Sequence, residues 1–114
     1  MSLVQEQAAF LLDAGKLVVY ATEQGFVVTG GELWRTPEQQ QVYVKTGRSK
    51  TMKSNHLRRL AIDLNFFREG RLVATKSELA GLGSYWESLN PANRWGGNFK
   101  SLVDTPHFER NIPG

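Results

Sequence analysis

The chain of 114 residues contains no cysteine and only two histidines, His56 and His107. Without thiols, disulfides and thiolate metal ligands are excluded, so a metal site must be built from His, Asp or Glu side chains. No apolar run approaches the roughly 18–20 residues of a membrane-spanning helix, so we expect no membrane insertion. The first residues lack the basic start of a signal peptide and carry Glu6 and Asp13 within their apolar stretch. We therefore expect a protein without a signal peptide that is synthesised in the cytoplasm.

A chain of this length has room for one compact domain with one cleft, so we expect a single domain over residues 1–114. Hydrophobic residues make up 40% of the chain, which is enough for a core of ordinary composition. The formal net charge of +3 would suit nucleic acid or an anionic cell envelope, although it also fits a mildly basic soluble protein. The basic residues between 45 and 53 have no aromatic side chains among them on which bases would stack. Nucleic acid is therefore not an expected partner.

The N-terminal third of the chain predicts helix followed by strand. Apolar positions in residues 2–13 fit an amphipathic helix that ends near Gly15. Residues 16–24 contain a continuous apolar run at 17–21 and fit either a second helix or a strand, and Gly25 looks like a helix C-terminal stop. The residues that follow, 26–28, are β-prone.

Two further helices have clearer boundaries. Thr36 is a good N-cap and Pro37 suits the first helical position, so we expect a helix that runs to about Lys45. Residues 46–55 are polar and without periodicity, as in a loop beside a functional site or a plain linker. Residues 76–89 predict the last helix.

Alternation of apolar and polar residues predicts a small sheet. Residues 60–67 alternate along one strand, residues 69–70 suggest a turn, and residues 71–74 fit the returning strand of a hairpin. We expect a loop at 95–97 and a last short strand at 107–109. The sequence thus predicts an α+β fold, in which helices pack on one side of a small antiparallel sheet.

Four residues form a candidate metal centre. The mostly apolar strand is expected to bury Asp63, and an unpaired buried carboxylate is costly. Asp63 therefore needs a cation such as a metal or an arginine. His56 lies seven residues earlier, near the start of the strand, and His107 can join from a neighbouring strand. Two histidines and one carboxylate are a common set for catalytic zinc and leave a position for water. Asp104, three residues before His107, would then serve as a general base.

Each of these residues also has a purely structural interpretation. A lone histidine is often a satisfied structural residue, and Asp63 could pair with Arg58 or Arg59. Asp104 could cap a turn before Pro106. Because the sequence has no HExxH helix, spacing alone leaves both interpretations open.

Four segments resemble the M15 peptidases. The run SNHLRRLAIDL at residues 54–64 resembles the S-x-H-(x)6-D signature of that family, and DTPHFE at residues 104–109 is similar to its second signature. Residues 34–40 resemble the segment before the first zinc ligand, and residues 95–99 resemble an aromatic–glycine segment of the phage members. The four segments occur in the family's order, and the resemblance covers about residues 17–109.

The resemblance implies the M15 (Hedgehog-like) peptidase fold, with the zinc ligands on the small sheet. It implies Zn²⁺ bound by His56, Asp63 and His107, with Asp104 as the catalytic acid/base. No separate cell-wall-binding domain is expected, as in single-domain enzymes of phages that infect Gram-negative hosts.

The same resemblance implies a substrate cleft near the metal. It assigns Arg35 a catalytic and substrate-binding role and assigns Gln40 and Ser54 to substrate binding. A guanidinium there would suit a carboxylate or the scissile carbonyl. The alternative for Arg35 is a surface ion pair with Glu32 or Glu38.

Two further positions are open. Trp95 is expected in the wall of the cleft or in the core. Arg59 stands where the family often has glycine, four residues before Asp63, and it either alters the cleft or points to solvent.

The resemblance implies a phage or prophage endolysin that cleaves the peptidoglycan stem peptide between L-Ala and D-Glu. Such an enzyme would be a monomer made in the host cytoplasm, and a holin-type partner would release it to the periplasmic cell wall. One alternative is a D,D-carboxypeptidase or dipeptidase of the same family. Another is a non-catalytic wall-binding or virion protein that keeps the fold.

Overall fold

The computed structural model describes residues 1–113. This part of the chain forms three α-helices and five β-strands, with short 3-10 helices at Asn55–Arg58 and Gly96–Asn98. The helices are α1 (Leu3–Glu23), α2 (Pro37–Lys45) and α3 (Lys76–Leu89), and the strands are β1 (Val27–Gly30), β2 (Ala61–Arg68), β3 (Arg71–Val73), β4 (Asn93–Trp95) and β5 (His107–Arg110).

The strands form one antiparallel sheet in the order β1-β2-β5-β4, in which β3 also pairs with β2. Strand β1 pairs along one edge of β2. The other edge of β2 is shared, because β5 pairs with residues 61–63 and β3 with residues 66–68. This register places the first three residues of β2 beside β5, with Asp63 opposite His107.

One face of the sheet packs against α1 and α3 and forms the core. Side chains at alternate strand positions, such as Leu64, Phe66 and Phe108, are buried there. Trp86 of α3 meets the ring of Phe108 edge to face at a centroid distance of 5.9 Å, and Phe10 of α1 meets Trp86 at 5.5 Å. The predicted α+β fold with a small antiparallel sheet is confirmed, and α1 and α3 pack on the same face of that sheet.

The opposite face of the sheet is polar. Asp63 of β2 is directly opposite His107 of β5, and Glu109 lies between Ala61 and Arg94 on the two neighbouring strands. Because side chains alternate across a strand, all these residues project away from the apolar core. The sheet therefore carries its core on one face and its chemistry on the other.

The N-terminal helix differs from the expectation. We predicted an end near Gly15 and left residues 16–24 open between helix and strand, whereas α1 continues without a break to Glu23. The reason is packing: buried residues at helical spacing continue past the glycine on one face, namely Phe10, Ala14, Leu17 and Ala21. The glycine is exposed, so it leaves this buried stripe intact. The stop at Gly25 is confirmed, since that residue has φ 94° just after the C-cap.

Most other elements agree with the sequence. Helices α2 and α3 have the expected bounds, and strand β2 is shifted by one residue. Glu69 and Gly70 form the hairpin turn with φ of 54° and 73°. The segment at 95–97 was expected to be a loop, but Trp95 ends a strand that pairs with β5. That strand has only three residues, so its pairing depends on a distant partner rather than on local pattern.

A buried ion pair ties α1 to the sheet. Arg110 on β5 donates to the Oδ2 atom of Asp13 at 2.6 Å, and both residues are buried. The side-chain amide of Asn93 also donates to the Oδ2 atom of Asp13, at 3.2 Å. Each of these polar groups is buried with a partner, as burial of charge requires. Across residues 1–113, no helix has both the length and the apolar character needed to cross a membrane.

Candidate metal centre

His56 is buried and directed by its backbone neighbours. It lies in the 3-10 helix Asn55–Arg58, whose N-cap Ser54 accepts a hydrogen bond from the His56 amide at 3.2 Å. The ring atom Nδ1 is 2.9 Å from the carbonyl oxygen of Leu33. A carbonyl can only accept, so Nδ1 carries the proton and donates it. The lone pair is therefore on Nε2, which faces Asp63.

His107 is oriented from the opposite direction. It starts β5 directly opposite Asp63, and its Nε2 atom is 2.7 Å from the carboxylate Oε1 of Glu109. A carboxylate accepts, so Nε2–H donates and Nδ1 faces the Oδ1 atom of Asp63 at 3.5 Å. The two histidines thus use different ring nitrogens toward the same carboxylate.

Three ligand atoms converge at this point. One atom each from His56, Asp63 and His107 lies within 4.8 Å of the others. The 3.4 Å between His56 Nε2 and Asp63 Oδ1 is long for a hydrogen bond. Within residues 1–113, His56 Nε2 and Asp63 Oδ1 are the buried side-chain polar atoms that have no hydrogen-bond partner. Buried unpaired polar atoms are rare, and a His–His–Asp set of this kind fits Zn²⁺.

The structural alternatives for Asp63 are contradicted. Arg58 instead donates to Asn55 and to the carbonyl of Ile112, at 2.5 and 3.2 Å. The Arg59 guanidinium lies 4.9 Å from the ring centroid of Trp34. Neither arginine pairs with Asp63, whose side chain is partly rather than fully buried, at 27% exposure.

The charges of the site depend on one another. Burial by itself would raise the pKa of Asp63, but the facing His107 and His56 rings hold that pKa well below its usual value. Burial would lower the pKa of His107, but the Asp63 and Glu109 carboxylates outweigh it and raise the pKa to about 9. A metal must displace protons from such ligands when it binds.

Asp104 stands beside this centre. Its Oδ2 atom is 4.0 Å from His107 Nδ1, and its side chain is half exposed. The turn from Asp104 to His107 is held by two backbone hydrogen bonds. The Asp104 N–H donates to the Gly96 carbonyl at 3.0 Å, and the His107 N–H donates to the Asp104 carbonyl at 3.1 Å. Partial burial raises the pKa of Asp104, and the negative charge of Asp63 adds to that rise against the opposing effect of His107. A raised pKa suits a carboxyl group that exchanges protons.

The Trp95-Gly96-Gly97 segment supports the turn from behind. Trp95 is buried in the core rather than in the cleft wall, and its Nε1 atom donates to the carbonyl of Thr105 at 2.8 Å. A Cβ atom at Gly96 would overlap the carbonyl oxygen of Asp104 and would lie 2.9 Å from Cβ of His107. Only glycine allows the chain to pass so close to the turn.

Arg35 lines the cleft and is held from several directions. It pairs with Glu32, as the structural alternative expected, and donates to Gln40 Oε1 at 2.7 Å and to Ser54 Oγ at 3.3 Å. Its guanidinium also stacks 4.5 Å from the ring centroid of Tyr43. Ser54 lines the cleft beside it, whereas Gln40 is fully buried behind Arg35 and does not line the cleft.

The cleft above the centre has a volume of about 610 Å³. The loop at 48–54 forms one wall of the cleft. Phe99 belongs to the other wall, and its ring centroid is 5.6 Å from that of the His107 ring. Lys50 Nζ lies 2.6 Å from Ser101 Oγ and joins the two walls. Such a cleft is large enough for a short peptide.

Arg59 lies outside this cleft. Its φ of 55° is left-handed, which explains why glycine suits this position in the family. Its exposed side chain covers Trp34 and does not alter the cleft.

Sequence reasoning missed Glu109 and Arg94. Glu109 accepts from Arg94 Nε at 2.8 Å as well as from His107. The signal was present, because residues two apart on a strand share a face, so His107 and Glu109 had to be neighbours.

Comparisons with known proteins point to one family of peptidases. The M15 peptidase family described as D-alanyl-D-alanine carboxypeptidase matches residues 47–110, which is more than half of the chain. The L-alanyl-D-glutamate peptidase of Listeria phage A118 is 32% identical over 103 residues, 89% of this chain. The chain spans only 36% of the length of that phage protein. The crystal structure of the Serratia marcescens L-Ala D-Glu endopeptidase ChiX is similar in fold, with a TM-score of 0.67 and 24% identity over 83% of this chain and 75% of that chain. The chain therefore belongs to the M15 peptidase family.

Proposed function

We propose that this chain is a zinc-dependent endopeptidase of the endolysin type, which cuts the peptidoglycan stem peptide between L-Ala and D-Glu. The observation that carries the proposal is the convergence of unpaired His56 Nε2 and Asp63 Oδ1 with His107 inside an open cleft. The phage and Serratia relatives are named for the L-Ala–D-Glu bond, which supports this choice of bond.

The residues present fit a zinc ion. His56 would bind it through Nε2, Asp63 through Oδ1 and His107 through Nδ1, because these are the atoms that the surrounding hydrogen bonds leave free. When bound, zinc supplies Lewis-acid chemistry that activates water and polarises a carbonyl.

Asp104 is the proposed acid/base. Hydrolysis adds water across the peptide C–N bond, so one proton must travel from the attacking water to the leaving nitrogen. The Asp104 carboxylate lies at the rim of the centre, where it can accept that proton and then deliver it. Its raised pKa favours this exchange.

Arg35 is the proposed substrate anchor. Its guanidinium can donate to the scissile carbonyl or to a stem-peptide carboxylate. Gln40 holds Arg35 from behind and also donates to Ser49 Oγ at 2.9 Å and to the Thr51 carbonyl at 2.6 Å, so it positions both Arg35 and the loop. Ser54 accepts from Arg35 at the cleft surface and would meet substrate there.

The biological setting follows from this activity. The enzyme would act as a monomer on the periplasmic cell wall. A holin-type partner would let it leave the host cytoplasm. The cationic side chains at the cleft rim, among them Arg48 and Lys53, would favour the acidic stem peptide over neutral peptides.

Digestion of purified sacculi tests the proposal. The zinc-loaded protein is expected to expose new amino termini on D-Glu, and EDTA or Asp104→Ala is expected to abolish them, while Glu23→Gln on an exposed helix end leaves them unchanged. Release of free D-Ala would instead identify a D,D-carboxypeptidase. Binding to sacculi without any cleavage under every metal condition would contradict an enzymatic function.

A further inference from the structure

We propose that Glu109 is a positioning residue that fixes the metal-binding tautomer of His107, and that Arg94 determines how Glu109 does so. The inference rests on the proposed zinc centre and concerns residues outside its ligand set. Glu109 lies two residues after His107 on β5, so both side chains project from the same face of the sheet.

The contact between the two side chains is short and buried. His107 Nε2 and Glu109 Oε1 are 2.7 Å apart, and the exposures of the two residues are 7% and 5%. An ionised carboxylate offers only acceptor atoms, so the proton stays on Nε2 and the Nδ1 lone pair points toward Asp63. Removal of a carboxylate that holds a metal-ligating histidine in this way commonly lowers metal affinity by roughly 10–100-fold.

Arg94 occupies the second oxygen of the same carboxylate. It lies opposite Glu109 on β4 and donates to Oε2 from Nε at 2.8 Å. Its guanidinium carries a permanent positive charge, so this ion pair favours the ionised, acceptor-only form of Glu109. Glu109 therefore serves two donors at once, one on each oxygen.

This arrangement makes Glu109→Gln more disruptive than its small change in shape suggests. A glutamine amide has one oxygen and one NH₂ group, so it can accept from only one of the two donors. The guanidinium is always a donor and takes the oxygen, which leaves the NH₂ group facing His107 Nε2. Nε2 must then accept, and the proton moves to Nδ1, the atom that the metal needs.

Zinc affinity, measured by competition with a chromophoric chelator, tests the inference on the full chain. Glu109→Gln is expected to weaken zinc binding by about 10–100-fold. Removing the competing donor should restore the tautomer, so Arg94→Met/Glu109→Gln is expected to bind within about threefold of Arg94→Met alone. Arg94→Met/Glu109→Met, which has no acceptor, is expected to lose about 10–100-fold again. Glu23→Gln makes the same charge change on an exposed helix end and should bind like the wild type.

Nitrogen NMR of the zinc-loaded protein gives a second readout. The chain has only two histidines, so the His107 ring is readily assigned beside His56. A protonated Nε2 is expected in the wild type and in the Arg94→Met/Glu109→Gln variant. Equal zinc affinity of the wild type and Glu109→Gln would overturn the inference. Equal zinc affinity of the two double variants would also overturn it, and this comparison remains valid even if Glu109→Gln alone fails to fold. A wild-type chain that binds no zinc would overturn the proposed function as well, so the two failures are distinguishable.

Discussion

Asp63 and His107 are directly opposite each other on β2 and β5, although 43 intervening residues separate them along the chain. Antiparallel partners have Cα atoms only about 4.5–5.5 Å apart, so the register itself brings the carboxylate to the imidazole. His56 then completes the set from a 3-10 helix just before β2. The metal centre is thus formed by the β2–β5 strand pair and the 3-10 helix that precedes β2.

Replacement of Asp63 tests the ligand set. For the wild type, zinc at 100 times its Kd should raise the free energy of unfolding by about 2.7 kcal/mol. Asp63→Asn keeps the side-chain size but removes the charge, so we expect this zinc-dependent gain to disappear. Calorimetry with zinc and with EDTA measures it. An undiminished gain in Asp63→Asn would exclude this carboxylate as a ligand.

Replacement of Arg35 tests the anchor in the cleft. Lysine keeps the charge but provides no planar fork, so it cannot reproduce the contacts with Glu32, Gln40 and Ser54. We expect Arg35→Lys to lower kcat/KM on sacculus-derived peptides by about tenfold or more, which is at least about 1.4 kcal/mol of transition-state stabilisation. Zinc affinity should stay within about threefold of wild type. A parallel loss of zinc would instead assign Arg35 to the metal site.

Gly96 provides a packing test of the Asp104–His107 turn. A methyl group at this position overlaps the Asp104 carbonyl, so Gly96→Ala must displace the turn and its two site residues. We expect weaker zinc binding and a destabilisation of about 1–3 kcal/mol. Gly81→Ala is the matched control, because a Cβ there meets nothing within 4 Å and alanine should stabilise α3 by about 0.5–1 kcal/mol. Equal behaviour of the two variants in urea unfolding would refute the steric argument.

The buried pair of Asp13 and Arg110 is expected to matter for stability rather than for activity. Asp13→Ala leaves the Arg110 guanidinium buried without its 2.6 Å partner, which should cost about 3–5 kcal/mol in urea unfolding. Glu6→Ala is a suitable control, because its 3.5 Å contact with Arg110 involves a less buried carboxylate and should cost about 1 kcal/mol or less. If the two variants lose equal stability, the pair with Asp13 does not dominate.

The pH dependence of metal-free stability follows from His107 and Glu109. The pKa of His107 rises from 6.5 to about 9 on folding. Its contribution to the free energy of unfolding is therefore complete below pH 6.5 and is lost as pH rises through 9. The pKa of Glu109 falls from 4.5 to about 2, so its contribution is present above pH 4.5 and is lost as pH falls toward 2.

In EDTA, these two residues therefore favour a stability maximum between about pH 4.5 and 6.5. Excess zinc should extend the maximum to higher pH, because the metal takes the place of the proton on His107. Urea unfolding across this range measures both effects. Metal-free stability that stays flat from pH 6.5 to 9 would contradict the contribution of His107.

The sequence by itself determined the local elements and the chemistry available. Thr36 with Pro37 predicted the start of α2, and alternation predicted β2, because caps and strand periodicity depend on near neighbours. The absence of cysteine restricted any metal site to His, Asp and Glu. Within that restriction, the spacing and the family resemblance identified the residues that the structure brings together.

Tertiary structure alone decided which atoms of those residues are free. The Leu33 carbonyl selects Nε2 of His56, a contact that no motif shows. Strand spacing makes Glu109 a neighbour of His107, but only the structure shows that the carboxylate meets Nε2 and leaves Nδ1 for the metal. Strand β4 and the depth of Gln40 were also missed, since both depend on partners far along the chain. Hydrogen bonds between distant segments form only after the sheet has its register, so the sequence could supply the ligands but not their orientation.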